Sequence, residues 1–389
     1  MTIKTSEDLE RLVEEARMEG LTRWFVMALT DAFEDARKGK LRTHDEHHFE
    51  LNYVQNITSL ANSALSRRYR PGSSTTFIVR EPMMREIFAA PFRDRVIHHF
   101  LYNMSAGWWD RRFIYTSSSC REGKGTLFAA RMAQKHLRQV TMGGRKKAWV
   151  AKFDLKGYFM SLPRQKLYER VHKGLRAQFS GVLDEPLGYQ IYSLCDFLWK
   201  MILLDDPVEK AVRKGKLSDW KELPPEKSLY NQMAGVGIVI GNLTSQLVSN
   251  IYLDQLDRYV THALGYRFYG RYVDDFYIMV GDEDLPRLKE DIKKIRAFLK
   301  DELKLTLHPK KFSLQPAQYG TKFVGTRVYP HALIPDRRLQ GKFRAAAWQL
   351  AHGYDNMETL VSYLGMMKHL DADKLVREAF EELRWGFES

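Results

Sequence analysis

The stretch Tyr269-Gly-Arg-Tyr-Val-Asp-Asp-Phe-Tyr-Ile-Met-Val280 constrains this chain more than any other. Two adjacent carboxylates, Asp274 and Asp275, lie inside an otherwise aromatic and aliphatic run. β-Branched and aromatic residues on both sides favour strands, which predicts a hairpin with the acidic pair at its tight turn. Like charges in so apolar a segment repel one another and are poorly solvated unless a cation sits against them. A divalent ion is the natural candidate, because hard cations such as Mg²⁺ take carboxylate oxygens. The plainer alternative is a hairpin whose Asp side chains only bond the turn backbone. A third carboxylate in matching surroundings separates the two, and Asp154 supplies it at the end of the apolar strand Ala148-Trp-Val-Ala-Lys-Phe-Asp154.

The charge balance agrees with an anionic polymer as partner. Lys and Arg outnumber Asp and Glu 61 to 48 across 389 residues, and each phosphate neutralised by such a surface releases condensed counterions. Cys120 and Cys195 are the only cysteines, which excludes a disulfide framework and zinc-type Cys spacing. The pairs His47-His48 and His98-His99 lack metal-ligand spacing and read as surface or packing residues. No apolar run approaches the roughly 18 residues of a membrane span and no leader opens the chain, so a cytoplasmic protein without a membrane partner is expected.

Along the chain, residues 6–37 read as two helices, with Ser6 as N-cap and Leu9, Leu12, Val13 and Ala16 on one face. Leu21, Trp24, Phe25, Ala28 and Leu29 repeat the pattern, as core or as a docking face. A helix over about 48–66 closes in Arg67-Arg-Tyr-Arg-Pro-Gly72, where Arg67, Arg68 and Arg70 can lie along a nucleic-acid backbone. Phe77–Arg80 reads as a strand, and Arg85–Met104 as a helix whose Arg93, Asp94 and Arg95 form an ion-pair cluster. Cys120-Arg-Glu-Gly-Lys-Gly-Thr126 is too short for a Walker A loop. It does place Arg121 and Lys124 beside a helix N-terminus, a fair seat for a triphosphate. The tail beyond Ile334 reads as three helices, the first carrying Arg337, Arg338, Lys342 and Arg344 outside its apolar stripe.

Order completes the argument. Asp154 ends a strand, a Gly-rich turn (Gly235–Gln246) opens a helix, and the Asp-Asp hairpin follows. Two ions clamped by Asp154 and Asp274 would lie roughly 3.5–4 Å apart, one lowering the pKa of a primer 3′-hydroxyl and the other steadying a leaving pyrophosphate. Phosphoryl transfer asks for little beyond such positioning and charge neutralisation. Lys310, in His308-Pro-Lys-Lys311, is placed to give a proton or charge to the leaving group.

With these pieces in order, the chain resembles the reverse transcriptases over nearly all its length. Tyr272-Val-Asp-Asp275 matches their metal-binding hairpin, and Phe153-Asp-Leu-Lys-Gly-Tyr-Phe159 their first palm carboxylate segment. The resemblance implies an α+β right-hand polymerase with fingers, an antiparallel palm sheet and a helical thumb. Its spans would be an N-terminal helical extension at 1–49, fingers at 50–145, palm at 146–330 with a fingers-side helical segment at about 165–232, and a three-helix thumb at 331–389. It makes Asp154 and Asp274 ligands of two Mg²⁺ ions, for which Mn²⁺ could substitute, with Asp275 a weaker ligand and Leu155 contributing a backbone group. Phe159 would be the steric gate against a ribose 2′-hydroxyl. Phe323-Val-Gly-Thr326 resembles the primer grip, and the basic tail the thumb.

A finer resemblance follows from Ile240-Gly-Asn-Leu-Thr-Ser-Gln246, where group II intron and retron enzymes carry Gln-Gly and Ser-Pro. This pattern is similar to that of reverse transcriptases from diversity-generating retroelements, as are Glu226-Lys-Ser-Leu229 and Ser362-Tyr-Leu-Gly-Met-Met-Lys368. Those enzymes copy a template RNA into cDNA from dNTPs, err opposite adenine, and work with a small basic accessory protein. In that reading Ile240 and Gln246 shape the wall against the base pair, and Gly241 lies at the nucleotide. An apolar Ile removes hydrogen-bonding capacity and so loosens discrimination, unless Ile240 simply packs. Pro82-Met-Met-Arg85 replaces the usual Pro-Lys-x-Arg, leaving Arg85 and Arg121 as the expected phosphate cations. A phage-defence or retron-like reverse transcriptase is the alternative. A catalytically silent RNA-binding scaffold is a remote one, which the three intact carboxylates argue against.

Overall fold

The structure is a computed structural model that describes residues 2–38, 43–81 and 83–388, with side chains described as far as 381. Pro82, named above, lies outside the described residues. The chain divides into two compact units, residues 1–113 with 157–255, and residues 114–156 with 256–389. Residues 157–255, which include the helical segment at about 165–232, group with the N-terminal part of the chain.

In the first unit, helices Ser6–Glu19 and Leu21–Arg37 form as their periodicity predicts. The N-cap is Thr5 rather than Ser6. Its hydroxyl accepts the Asp8 amide at 3.1 Å, and the Asp8 carboxylate accepts the Thr5 amide at 2.9 Å, closing a capping box. Their apolar faces are core: Trp24 and Phe25 meet Phe100 edge-on. The segment expected as one helix at 48–66 is two, His44–Leu51 and Tyr53–Leu65, parted at Asn52.

A second correction concerns Arg85–Met104. Arg85–Ala89 is a strand, paired antiparallel with Thr75–Val79, and the helix runs over Phe92–Asp110. Pro91 is the cause, because proline drives the residue before it to extended backbone and lacks the amide a continuing helix needs. Val212–Arg213 adds a short parallel strand to this hairpin. Arg213 lies 3.7 Å over the Tyr230 ring, and Tyr230 stacks on Phe88. Of the expected 93–95 cluster, Asp94 pairs with Arg93 but also accepts from Tyr69 and the Gly72 amide, while Arg95 donates to the Ala90 carbonyl.

The second unit holds a four-stranded antiparallel sheet in the order Phe268–Tyr272, Asp275–Gly281, Ala148–Asp154, Ser313–Pro316. The two central strands are buried almost throughout, which is why they read as near-continuous apolar runs. Helix Thr126–Val140 covers one face. Its Ala129, Ala130 and Ala133 are small enough to bring it onto Val150, Tyr277 and Met279. A smaller sheet of Leu333–Pro335, Thr326–Val328 and Thr321–Phe323 sets Phe323 opposite Thr326 across a hairpin. Helices Arg337–Ala351, Met357–Met367 and Asp373–Glu388 follow, with a core of their own around Phe343, Ala347, Leu360 and Leu375.

Candidate active site

The acidic pair sits where the sequence places it. Phe268–Tyr272 and Asp275–Gly281 form the hairpin, and Val273 and Asp274 make its turn. Asp154 ends the neighbouring strand directly opposite Asp275 in the antiparallel register. Beyond it, the Leu155 amide donates to the Asp274 carbonyl at 3.3 Å, and the Asp154 carbonyl accepts from His308 at 2.7 Å. Phe153 and Phe276, one step behind the carboxylates, stack at 4.6 Å and close the floor. Three acidic side chains therefore converge at one sheet end from two distant segments.

Burial and mutual repulsion dominate the electrostatics. The Asp274 carboxyl is pushed up to about 7, first by burial and then by the charges of Asp154 and Asp275. Asp275 is also raised by burial, against the lowering effect of Lys152, whose ammonium lies 3.3 Å from it. Lys311 Nζ stands 3.0 Å from both Asp154 oxygens. One oxygen of Asp275 is buried and accepts no hydrogen bond. Among the described residues no three His, Cys, Asp or Glu side chains close a ready-made ion site. Two ammonium groups instead balance the acids, and a buried oxygen is left over. A hard-oxygen donor set with an orphaned buried acceptor fits divalent cations.

The other expected site residues fall in two groups. Arg121 and Lys124 share the second unit with the carboxylates, and both engage their own loop. Arg121 donates to the carbonyls of Ile114 and Ser117 at 2.8 Å, and Lys124 to that of Tyr115 at 2.6 Å. Lys310 is exposed, its amide facing His308, and the lysine on the carboxylates is its neighbour Lys311. Arg337, Arg338 and Arg344 are exposed on the first tail helix, Arg344 paired with Glu378, and Lys342 is half-buried.

Arg85, Phe159, Ile240, Gly241 and Gln246 belong to the first unit. Phe159 is half-buried between buried Tyr158 and Met160, and its carbonyl accepts the Ile238 amide at 2.9 Å. The Ile240 carbonyl accepts the Phe88 amide at 2.9 Å, and its side chain packs against the cluster of Phe88, Met160 and Leu229. Gly241 has φ +130°, and a Cβ there would stand 2.6 Å from the Phe88 carbonyl oxygen, so only glycine fits this approach. Arg85 is half-buried and Gln246 exposed. Arg67 is committed to Ser193 through both terminal nitrogens, while Arg68 and Arg70 are exposed.

Residues 82–328 match the family model described as reverse transcriptase (RNA-dependent DNA polymerase). The chain belongs to the reverse transcriptase family. Its α+β architecture is the right-hand fold of that family, and its class is that of an RNA-directed DNA polymerase. Comparison with curated proteins gives no match. Among solved structures, telomerase from Candida albicans in complex with a TWJ fragment of telomeric RNA is similar at 11% identity, with a TM-score of 0.48, over 88% of this chain. The chain spans 59% of that telomerase chain. No helix among the described residues is long and apolar enough to cross a membrane.

Sequence reasoning missed three features of this carboxylate cluster. Lys311 and Lys152 hold the carboxylates, and a fully buried ion pair lies behind the hairpin. Arg271 donates to Asp257 through Nε and Nη2, both at 2.7 Å, and Tyr269 donates to the same carboxylate at 2.6 Å. The available signal was an arginine inside an aromatic strand, which burial obliges to find a carboxylate.

Proposed function

We propose that this protein copies a template RNA into cDNA and is of the error-prone kind found in diversity-generating retroelements. The observation that carries the polymerase reading is the gathering of Asp154, Asp274 and Asp275 at one sheet end, with Asp274 pushed up to about 7 by burial and its acidic neighbours. Two Mg²⁺ ions, when bound, would neutralise this cluster, activate the primer 3′-hydroxyl and steady the departing pyrophosphate. Asp154 and Asp274 are the principal ligands in this reading, with Asp275 and the Leu155 backbone in support. Lys311 and Lys152 hold the carboxylates in place before the ions arrive. Lys310 supplies the proton or charge to the leaving group, and Arg85, Arg121, Lys124 and Gly241 receive the dNTP.

Phe159 excludes the 2′-hydroxyl, and its half-buried ring supports that role over one purely of core packing. Ile240, packed on one side and half-exposed overall, presents apolar surface where a glutamine would offer hydrogen bonds. Arg68, Arg70, Arg337, Arg338 and Arg344 are exposed cations for template and primer. A small basic accessory protein is the proposed partner. Primer extension on a defined RNA with Mg²⁺, scored for misincorporation at each template base, tests the proposal. Adenine-selective errors support it; uniform fidelity moves the assignment to a retron-like or defence enzyme. Full polymerisation by Asp274→Ala would overturn both. Ile240→Gln should lower errors at adenine, and an unchanged error spectrum removes that role.

A further inference from the structure

Only one residue of the acidic turn has a positive φ. Val273, immediately before Asp274, has φ +54°. For a β-branched residue this left-handed conformation is strained and persists only where its surroundings enforce it. Two side chains do so. The Val273 amide donates to Ser119 Oγ at 3.0 Å, and the Val273 carbonyl accepts from Arg271 Nη1 at 3.0 Å.

Ser119 is itself fixed. The segment Thr116–Ser119 runs beside the strand Phe268–Tyr272, with Ser117 bridging Arg271 in parallel. The Arg271 amide donates to the Thr116 carbonyl, and the Ser118 amide to the Arg271 carbonyl. Arg271 Nη2 donates to Ser117 Oγ at 3.0 Å, and the guanidinium is anchored on buried Asp257. Arg121 holds the carbonyls of Ile114 and Ser117 from the other side. Ser117, Ser118 and Ser119 are all essentially buried. The serine run ahead of the Gly-Lys-Gly turn is thus a strap along the hairpin.

We propose that Ser119 is a positioning residue for the metal-binding turn, acting through the Val273 amide to hold the left-handed backbone that aims Asp274. Arg271 grips the other side of the same residue. The inference rests on the polymerase reading for its consequence, but the clamp can be read without catalysis. Residue-resolved amide exchange on the free protein should show Val273 exchanging about tenfold faster in Ser119→Ala, the effect of losing one hydrogen bond. Ser119→Thr, which keeps the hydroxyl, should restore protection.

Mn²⁺ binding followed by electron paramagnetic resonance should weaken about tenfold in Ser119→Ala and recover in Ser119→Thr. In primer extension, the Mg²⁺ concentration for half-maximal rate should rise by the same factor with little change in KM for template-primer. Adding Val273→Gly to Ser119→Ala relaxes the strain that the serine opposes, and should recover part of the metal affinity. Unchanged Val273 exchange and unchanged Mn²⁺ affinity in a folded Ser119→Ala protein would overturn the inference. So would a loss that appears only as a lower Tm and is not rescued by threonine. If Asp274→Ala still polymerises, the polymerase reading fails, whereas the exchange result at Val273 judges the clamp alone.

Discussion

Lowering the pH from 7 to 5 should destabilise the first unit through one histidine. His98 is fully buried in helix Phe92–Asp110, with Nδ1 2.7 Å from Thr244 Oγ1, and burial with help from His99 and Arg95 lowers its pKa from 6.5 to about 3. Asp94 and Arg164 face the same cavity. Between pH 6.5 and 3 the unfolded chain holds a proton on this residue and the folded chain does not, so stability falls as pH falls. At pH 5 the unfolded group lies 1.5 units below its pKa of 6.5, which at 1.36 kcal/mol per unit costs about 2 kcal/mol. The effect is absent above pH 6.5. Buried carboxylates with raised pKa, Asp274 and Glu86, act in the opposite direction, so the test is a difference. Urea unfolding of wild type and His98→Asn at pH 7 and 5 should show the variant losing about 2 kcal/mol less stability between the two. Equal losses in both proteins, or an NMR titration of His98 near 6.5, would refute the reasoning.

His136, beside Tyr277 and lowered to about 4 mainly by burial, makes the same prediction for the second unit: His136→Gln should remove about 2 kcal/mol of its acid sensitivity, read by the same unfolding experiment. Gly174→Ala should lower stability by about 1–3 kcal/mol, because the new Cβ would lie 2.0 Å from Trp109 Cζ2 and overpacking outweighs the gain in helix propensity of about 1 kcal/mol; a raised Tm would contradict this. Arg271→Met should cost about 3–5 kcal/mol in urea unfolding by leaving Asp257 buried and unpaired, and adding Asp257→Leu should recover most of it. Phe159→Ala should raise ribonucleotide incorporation about tenfold or more in primer extension, and no change would remove its gating role.

The hairpin and Asp154 were legible because their signal is local. Carboxylates inside apolar strands are anomalous whatever the fold, and strand alternation fixes which residues can stand opposite one another. Arg85–Ala89 was misread because Ile87 and Phe88 also fit a helical stripe. Its strand identity is settled by pairing with Thr75–Val79, although Pro91 marked where a helix could begin. Lys310 and Lys311 are equivalent as neighbours in sequence. The turn alone decides which ammonium meets Asp154.

Arginines show why charge at a site is harder to read than acid. A guanidinium has five donors, and backbone carbonyls compete for them with any phosphate. Arg67 and Arg121 look alike in sequence to Arg68, yet they hold Ser193 and the 114–117 carbonyls, and even exposed Arg70 donates to the carbonyls of Arg67 and Tyr69. The buried pair Arg271–Asp257 makes the same point from inside. Its members are fourteen residues apart, and no helical or strand period brings them together. Nothing local marks Asp257 as the partner, yet this pair steadies the strand that leads into the acidic turn. Local pattern thus names the groups that must meet a cation, while the groups that aim them depend on contacts that only the folded chain makes.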